Sequence, residues 1–255
     1  MIPKVIHYCW FGRNPLPAEA KKCIKSWKKY CKDYKIIQWD EDNYDLSTAP
    51  LYVRQAYEAK KWAFVTDYVR LHIVHEHGGI YMDTDVELIS APDHLLDHAA
   101  FFGFEDGLHI ATGLGFGAEK GCSILYEMMR DYDDIPFIKE DGSFDITPCP
   151  MRNTQILLRH GLKQDDSMQT IQGCLILPSR YLCPLDYSTG LLNKTPDTIS
   201  IHWFSASWLT KEQRRQHKAQ ARRLRRADWR HAPNRFLIKL LGAERYDDLK
   251  KILRH

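Results

Sequence analysis

Apolar and polar positions switch between two periods along the first ninety residues, and the switches predict strands alternating with helices. Ile2-Pro3-Lys4-Val5-Ile6-His7 begins a strand-like run at the very start of the chain. Pro17 to Cys31 has the helical period, with Ala20, Ile24 and Trp27 on the inner side and lysines outside. Tyr34 to Trp39 reads as a second strand. Val53 to His77 contains neither glycine nor proline, and Trp62, Val65, Val69, Leu71, Ile73 and Val74 are spaced as the faces of one buried helix. Gly78 ends that helix as a left-handed cap, and Gly79 lets the chain fold back into the apolar triplet Ile80-Tyr81-Met82. Such alternation predicts an α/β fold with a mainly parallel central sheet and a ligand crevice at the carboxyl ends of its strands. The segments Trp10 to Arg13, Asp40 to Asn43 and Asp83 to Asp85 then gather at one rim.

Candidate chemistry concentrates at the last of these segments. Asp83 and Asp85 are two apart, so on a regular strand both point to one face. Two carboxylates that close repel unless a cation neutralises them, and oxygen ligands favour Mn²⁺ or Mg²⁺ over zinc. A solvated turn is the plain alternative for so short a motif. Against it stand the apolar residues on both sides, Ile80-Tyr81-Met82 before and Val86, Leu88 and Ile89 after. Upstream, Asp67 and Arg70 are three apart on one helix face, in a stretch with few other charges. That setting favours a partly buried pair that orients sugar hydroxyls and balances phosphate charge over a surface ion pair.

Ala63-Phe64-Val65-Thr66-Asp67-Tyr68-Val69-Arg70, followed by Gly78-Gly79-Ile80-Tyr81-Met82-Asp83-Thr84-Asp85, resembles the signature of the DXD sugar transferases, glycosyltransferase family 32. Ile2 to Gly12 is similar to the first strand and loop of the bacterial, capsule-synthesis members. The match covers residues 2 to 89, with a weaker echo at His202 to Trp208. The resemblance implies a GT-A-type nucleotide-sugar-binding fold and a Mn²⁺- or Mg²⁺-dependent transfer that keeps the anomeric configuration. It implies a nucleotide-sugar donor, a UDP-sugar ahead of a GDP-sugar. It assigns the metal motif to Asp83 and Asp85 and donor-sugar contacts to Asp67 and Arg70. Trp10 matches a tryptophan that stacks on uracil in related toxins, although a core aromatic beside the first strand explains it equally.

Farther along, Thr198 to Phe204 reads as a late strand carrying His202. A lone histidine at a strand end is often structural, but a cation held by two aspartates wants further ligands, and imidazole suits Mn²⁺ better than Mg²⁺. His202 is therefore the expected third ligand, with Ser207 and Trp208 expected against the donor diphosphate. Gly103 to Gly117 includes Thr112-Gly113-Leu114-Gly115-Phe116-Gly117 but lacks the Lys-Ser/Thr of a phosphate-cradling loop. Its small residues instead predict close passage of the backbone past substrate, ahead of a helix over Ser123 to Tyr132. Thr147 to Thr154 is a proline-punctuated helix entry, either lining the acceptor side or a plain loop.

Charge divides the chain. Residues 211–255 hold 15 Lys plus Arg against 5 Asp plus Glu, a balance of +10, leaving −7 on residues 1–210. We therefore expect a catalytic domain over 1–210 and a basic helical C-terminal extension over 211–255. The extension either packs as a solvated helix on the domain or meets an anionic membrane surface. Nucleic acid is not expected, since no recognition fold accompanies the charge. Seven cysteines without a CxxC pair argue against a disulfide framework or zinc ribbon. With no apolar leader at the N-terminus, the expected location is the cytoplasm, peripherally at the inner face of the cell membrane.

The leading expectation is a retaining glycosyltransferase acting on a saccharide or lipid-linked oligosaccharide acceptor, in polysaccharide or capsule biosynthesis. Two alternatives are an aspartyl-phosphate-type phosphatase, whose Asp-x-Asp-x-Val strand Asp83 to Val86 resembles, and a non-catalytic carbohydrate-binding protein.

Overall fold

A computed structural model describes residues 1–205 and the isolated positions Glu212, Arg215, Gln216 and Ala219. Met1–Leu185 and the stretch from Asn193 onward form one compact unit, and Asp186–Leu192 belongs to another. The first unit carries everything below. The expected domain boundary near residue 210 and the basic extension 211–255 fall outside the described residues, those four positions excepted.

Nine strands and six α-helices are described: β1 (Val5–Cys9), α1 (Ala18–Tyr30), β2 (Lys35–Trp39), α2 (Leu51–Glu58), α3 (Trp62–His77), β3 (Gly79–Tyr81), β4 (Val86–Leu88), β5 (Ala100–Gly103), β6 (Phe116–Ala118), α4 (Ser123–Arg130), α5 (Cys149–Arg159), β7 (Gln169–Ile171), β8 (Cys174–Leu177), α6 (Ser179–Leu182) and β9 (Ser200–His202). Seven strands form one sheet in the order β2-β1-β3-β6-β5-β8-β7, and β4 pairs with β9 in a small second one. β1 runs parallel to β2 and β3, β5 runs parallel to β8, and β6 and β7 are antiparallel to their neighbours. Five strands thus share one direction, as the mainly parallel α/β expectation requires. The carboxyl ends of β1, β2, β3, β5 and β8 open on one rim.

The periodic helices form where their apolar faces can be buried. α1 buries Ala20, Cys23, Ile24 and Trp27, and the Trp27 indole N–H donates to Val86 O at 2.7 Å. α3 is enclosed on most of its sides and buries Val65, Val69, Leu71, Ile73 and Val74 together with Asp67 and Arg70. A helix so placed is a core element, and each fully buried aliphatic side chain contributes about 1.5–3 kcal/mol. The single helix expected over Val53 to His77 is in fact α2 and α3. The break lies at Ala59-Lys60-Lys61, where Lys60 adopts φ 55°, and no glycine or proline announces it. Gly103 to Gly117 is not all loop, since β5 ends in it and β6 begins in it.

The helix-to-strand reversal needs its glycines. Gly78 has φ 66° and Gly79 φ 110°, and a Cβ at Gly79 would lie 2.8 Å from Val5 O, inside the sheet. All seven cysteines are unpaired, and only Cys122 is not fully buried. No helix among the described residues is long and apolar enough to cross a membrane.

Candidate active site

α3 delivers the first charged pair from inside the core. Arg70 is 3 % exposed and Asp67 9 %, and a guanidinium is tolerated there because its donors are used. Its Nε donates to Thr66 O at 2.9 Å and its Nη2 to Thr66 Oγ1 at 3.1 Å. The same Nη2 lies 3.1 Å from Asp67 Oδ1 and 3.3 Å from Asp83 Oδ1, while the guanidinium stands 5.1 Å over the Tyr81 ring. The sequence spacing anticipates the Asp67–Arg70 pair; Arg70 also joins it to the aspartate of the turn. Burial alone would lower the Arg70 pKa, but Asp83, Tyr81 and Asp67 raise it well above its ordinary value. Burial raises the Asp67 pKa and Asp83 adds to the rise, while Arg70 and then the Cys149 thiol at the start of α5 oppose it.

Asp83 and Asp85 converge, though not by strand alternation. β3 ends at Tyr81 and β4 begins at Val86, so Asp83-Thr84-Asp85 is a turn between strands of different sheets. The turn is pinned at both ends: Asp83 N–H donates to Gly113 O at 3.2 Å, Val86 N–H to Asp83 O at 3.0 Å, and Trp203 N–H to Asp85 O at 3.0 Å. Tyr81 Oη donates to Asp83 Oδ1 at 2.9 Å. Antiparallel register sets Val86 opposite His202, which brings the late histidine to the turn with its Nε2 3.2 Å from Asp85 Oδ1. Ser205 N–H donates to Asp85 Oδ2 at 2.7 Å.

Asp83, Asp85 and His202 each offer one ligand atom, all within 4.8 Å of one another. Two carboxylate oxygens and an imidazole nitrogen suit Mn²⁺. The electrostatics fit a cation as well. Burial raises the Asp83 pKa, Arg70 opposes it and Asp85 adds to it. Asp85 is held well below the carboxylate range because His202 and Ser205 outweigh its burial, and His202 is raised well above its ordinary value, mainly by Asp85 against its own burial. His202 and Asp85 thus stabilise each other's charged forms at the place where a metal ion would balance Asp85. Among the described residues, His202 Nδ1 is buried without a hydrogen-bond partner.

The other predicted residues divide. Trp10 follows β1 on the rim, partly buried against core residues, with its indole N–H donating to Asn14 O at 2.5 Å. That position suits either role foreseen for it. Ser207 and Trp208 lie outside the described residues.

Sequence reasoning did not single out Asn153 and Cys149, which lie behind the glycine loop. The small residues of the glycine loop make their close approach to the charged cluster: a Cβ at Gly113 would fall 2.5 Å from Asp83 Oδ2 and 3.1 Å from Arg70 Nη1. Behind the loop, buried Asn153 donates from Nδ2 to Thr112 Oγ1 at 3.1 Å, and Ile110 N–H donates to Thr154 Oγ1 at 2.8 Å. Thr147 to Thr154 is therefore the approach to and start of α5, bracing the loop, with Cys149 reaching Asp67. Asn153 and Cys149 carry no spacing signal; the Pro-Cys-Pro punctuation marks only the helix start. The phosphatase expectation fails on topology, because that motif belongs to a first strand and Asp83 follows β3.

Residues 17–102 match a family model described as the glycosyltransferase sugar-binding region containing the DXD motif. Inositol phosphoceramide mannosyltransferase 3 of Schizosaccharomyces pombe is 27 % identical over 140 residues, 53 % of this chain and 38 % of that protein. An uncharacterised glycosyltransferase, L373, of Acanthamoeba polyphaga mimivirus is 32 % identical over 95 residues, 34 % of this chain and 36 % of that protein. The chain spans less than two fifths of the length of either relative. Similar solved structures include the PaToxG glycosyltransferase (TM-score 0.45, 17 % identity, 62 % of this chain and 68 % of that one) and a glycosyltransferase involved in glycosylating the major capsid of PBCV-1 (TM-score 0.45, 12 % identity, 84 % and 98 %).

Proposed function

We propose that this chain, whose residues 17–102 match the model of the DXD sugar-transferase family, is a metal-dependent glycosyltransferase that moves a sugar from a nucleotide-diphosphate donor to a saccharide acceptor with retention of configuration. The observation that carries this reading is the convergence of Asp83, Asp85 and His202 beside a buried Asp67–Arg70 pair. A divalent cation bound at those three side chains would neutralise the diphosphate as it leaves.

The chain's own residues do the rest. Arg70 fixes the Asp83 carboxylate and leaves Asp67 its remaining lone pairs for sugar hydroxyls. Gly113 keeps backbone, not side chain, against Asp83 Oδ2, so the carboxylate stays open to a ligand. The Trp10 ring is offered to the base of the nucleotide. The acceptor hydroxyl attacks the anomeric carbon through an oxocarbenium-like transition state, from the face the diphosphate vacates.

A UDP-sugar is the donor we favour. The mannosyltransferase relative keeps mannose, and so GDP-sugars, in the screen. For the acceptor we propose a saccharide or lipid-linked oligosaccharide of polysaccharide or capsule synthesis. The +10 balance of residues 211–255 supports contact with an anionic membrane, and with it a cytoplasmic enzyme peripheral to the inner face. Incubating the full chain with a panel of UDP- and GDP-sugars tests the reading. Donor hydrolysis with Mn²⁺ and none in EDTA is the expected result, and glycan binding without turnover of any donor would favour a non-catalytic carbohydrate-binding protein.

A further inference from the structure

A carboxylate outside the DXD motif stands on the same rim. After β5 ends at Gly103 the chain forms a hairpin in which Phe104 pairs with Ile110 and Glu105 N–H donates to His109 O at 2.8 Å. Ala111 N–H returns to Gly103 O at 3.3 Å, and two residues on, Gly113 O receives the Asp83 N–H. Glu105 therefore sits at the carboxyl end of a strand parallel to β3, on a loop whose returning limb packs against Asp83.

Its side chain is partly buried and makes no hydrogen bond or ion pair among the described residues. The next residue, Asp106, differs: it accepts from Leu108 N, His109 N and His109 Nδ1 at 2.8–3.0 Å and so builds the hairpin. Burial raises the Glu105 pKa, His202 opposes, and Asp106 and His109 of its own hairpin act in opposite directions ahead of a smaller rise from Asp83. A carboxylate withdrawn from water is costly unless something pairs with it.

Three parts of a bound donor are available for that. The diphosphate is anionic and repels it. The cation would be held by the cluster of Asp83, Asp85 and His202, to which Glu105 does not belong. The sugar remains, with its hydroxyl donors and the positive charge that develops at C1. We infer that Glu105 is a further catalytic residue, its carboxylate lying against the donor sugar and stabilising charge on the anomeric carbon as the bond to the diphosphate breaks.

The inference rests on the transferase reading above, and its test separates the two. Wild type, Glu105→Gln, Glu105→Asp and Asp83→Asn full-length chains are assayed for donor turnover and, by calorimetry, for binding of the free nucleoside diphosphate with Mn²⁺. Glu105→Gln should lower kcat by about 10²-fold, the scale of one lost electrostatic contact to a transition state. It should leave the thermal midpoint and the diphosphate–Mn²⁺ affinity unchanged within about threefold, and Glu105→Asp, which keeps the charge, should fall between it and wild type. A Glu105→Gln kcat equal to wild type overturns the inference, as does a parallel loss of diphosphate–Mn²⁺ affinity, which would set Glu105 on the cation instead. If wild type turns over a donor and Asp83→Asn does not, either of those results condemns the Glu105 role alone; a wild type inert toward every donor condemns both.

Discussion

Two polar clusters occupy adjacent strands and solve burial in opposite ways. On β1, His7 is 1 % exposed and closed on itself: Nδ1 accepts the Trp39 indole N–H at 3.0 Å and Nε2–H donates to Gly78 O at 2.9 Å. Burial pushes its pKa down to about 4 despite the Gly78 bond, so the ring is neutral and every polar atom is spent. On the rim above β3, Asp67, Arg70, Asp83, Asp85 and His202 are also withdrawn from water but lean on one another: burial raises the Asp67 and Asp83 pKa values against Arg70, while His202 holds Asp85 low. There a buried nitrogen, His202 Nδ1, has no hydrogen-bond partner among the described residues. A polar cluster that satisfies itself specifies the fold, whereas one that keeps unspent ligand atoms is prepared for something that arrives later.

Breaking the open cluster should give the largest effect. Asp83→Asn and Asp85→Asn should each lower donor turnover by about 10³-fold at saturating Mn²⁺, since on the proposed reading each removes a ligand to the leaving-group cation. Arg70→Met acts on the same cluster through stability: it strands Asp67 and Asp83, and chemical denaturation should show a loss of roughly 3–5 kcal/mol.

The closed cluster predicts a pH effect. An unfolded histidine titrates near 6.5 and folded His7 at about 4, so between these values the unfolded chain binds the extra proton. The His7 contribution is therefore complete above pH 6.5 and declines as the pH falls to 4, by about 3 kcal/mol in total. His7→Gln should flatten the stability–pH curve in that window relative to wild type; parallel curves would mean His7 is not buried neutral. The smallest change sharpens the boundary between fold and site. Gly113→Ala adds a methyl 2.5 Å from Asp83 Oδ2, and should weaken Mn²⁺ binding about tenfold while shifting stability by no more than a typical substitution, about 1 kcal/mol.

What the sequence made legible follows from the range of the interactions. α1, β2, the glycine reversal at Gly78-Gly79 and the Asp67–Arg70 pair depend on residues a few positions apart, and periodicity reports them. The split at Lys60 is set by packing of two helices, with no breaker residue to mark it. The convergence of Asp83 with Asp85 was foreseen, but through strand alternation rather than a turn pinned by Gly113 and Trp203, residues 30 and more positions away. His202 is expected there because a two-carboxylate cation site demands further ligands, and the structure brings it to Asp85 through the β4–β9 pairing. Glu105, Cys149 and Asn153 answer to no spacing rule. They enter the neighbourhood only through the order of strands in the sheet and the docking of α5 behind the glycine loop, neither of which a local pattern encodes.

The central claim is that Asp83 and Asp85 capture a divalent cation that in turn holds a nucleoside diphosphate. Calorimetric titration of UDP into the full chain, with Mn²⁺ and with EDTA, tests it on wild type and on the Asp83→Asn/Asp85→Asn double variant; GDP is titrated in parallel. The account predicts that binding of the preferred nucleotide requires both the metal and both aspartates. Equal affinity in EDTA, or in the double variant, would contradict it.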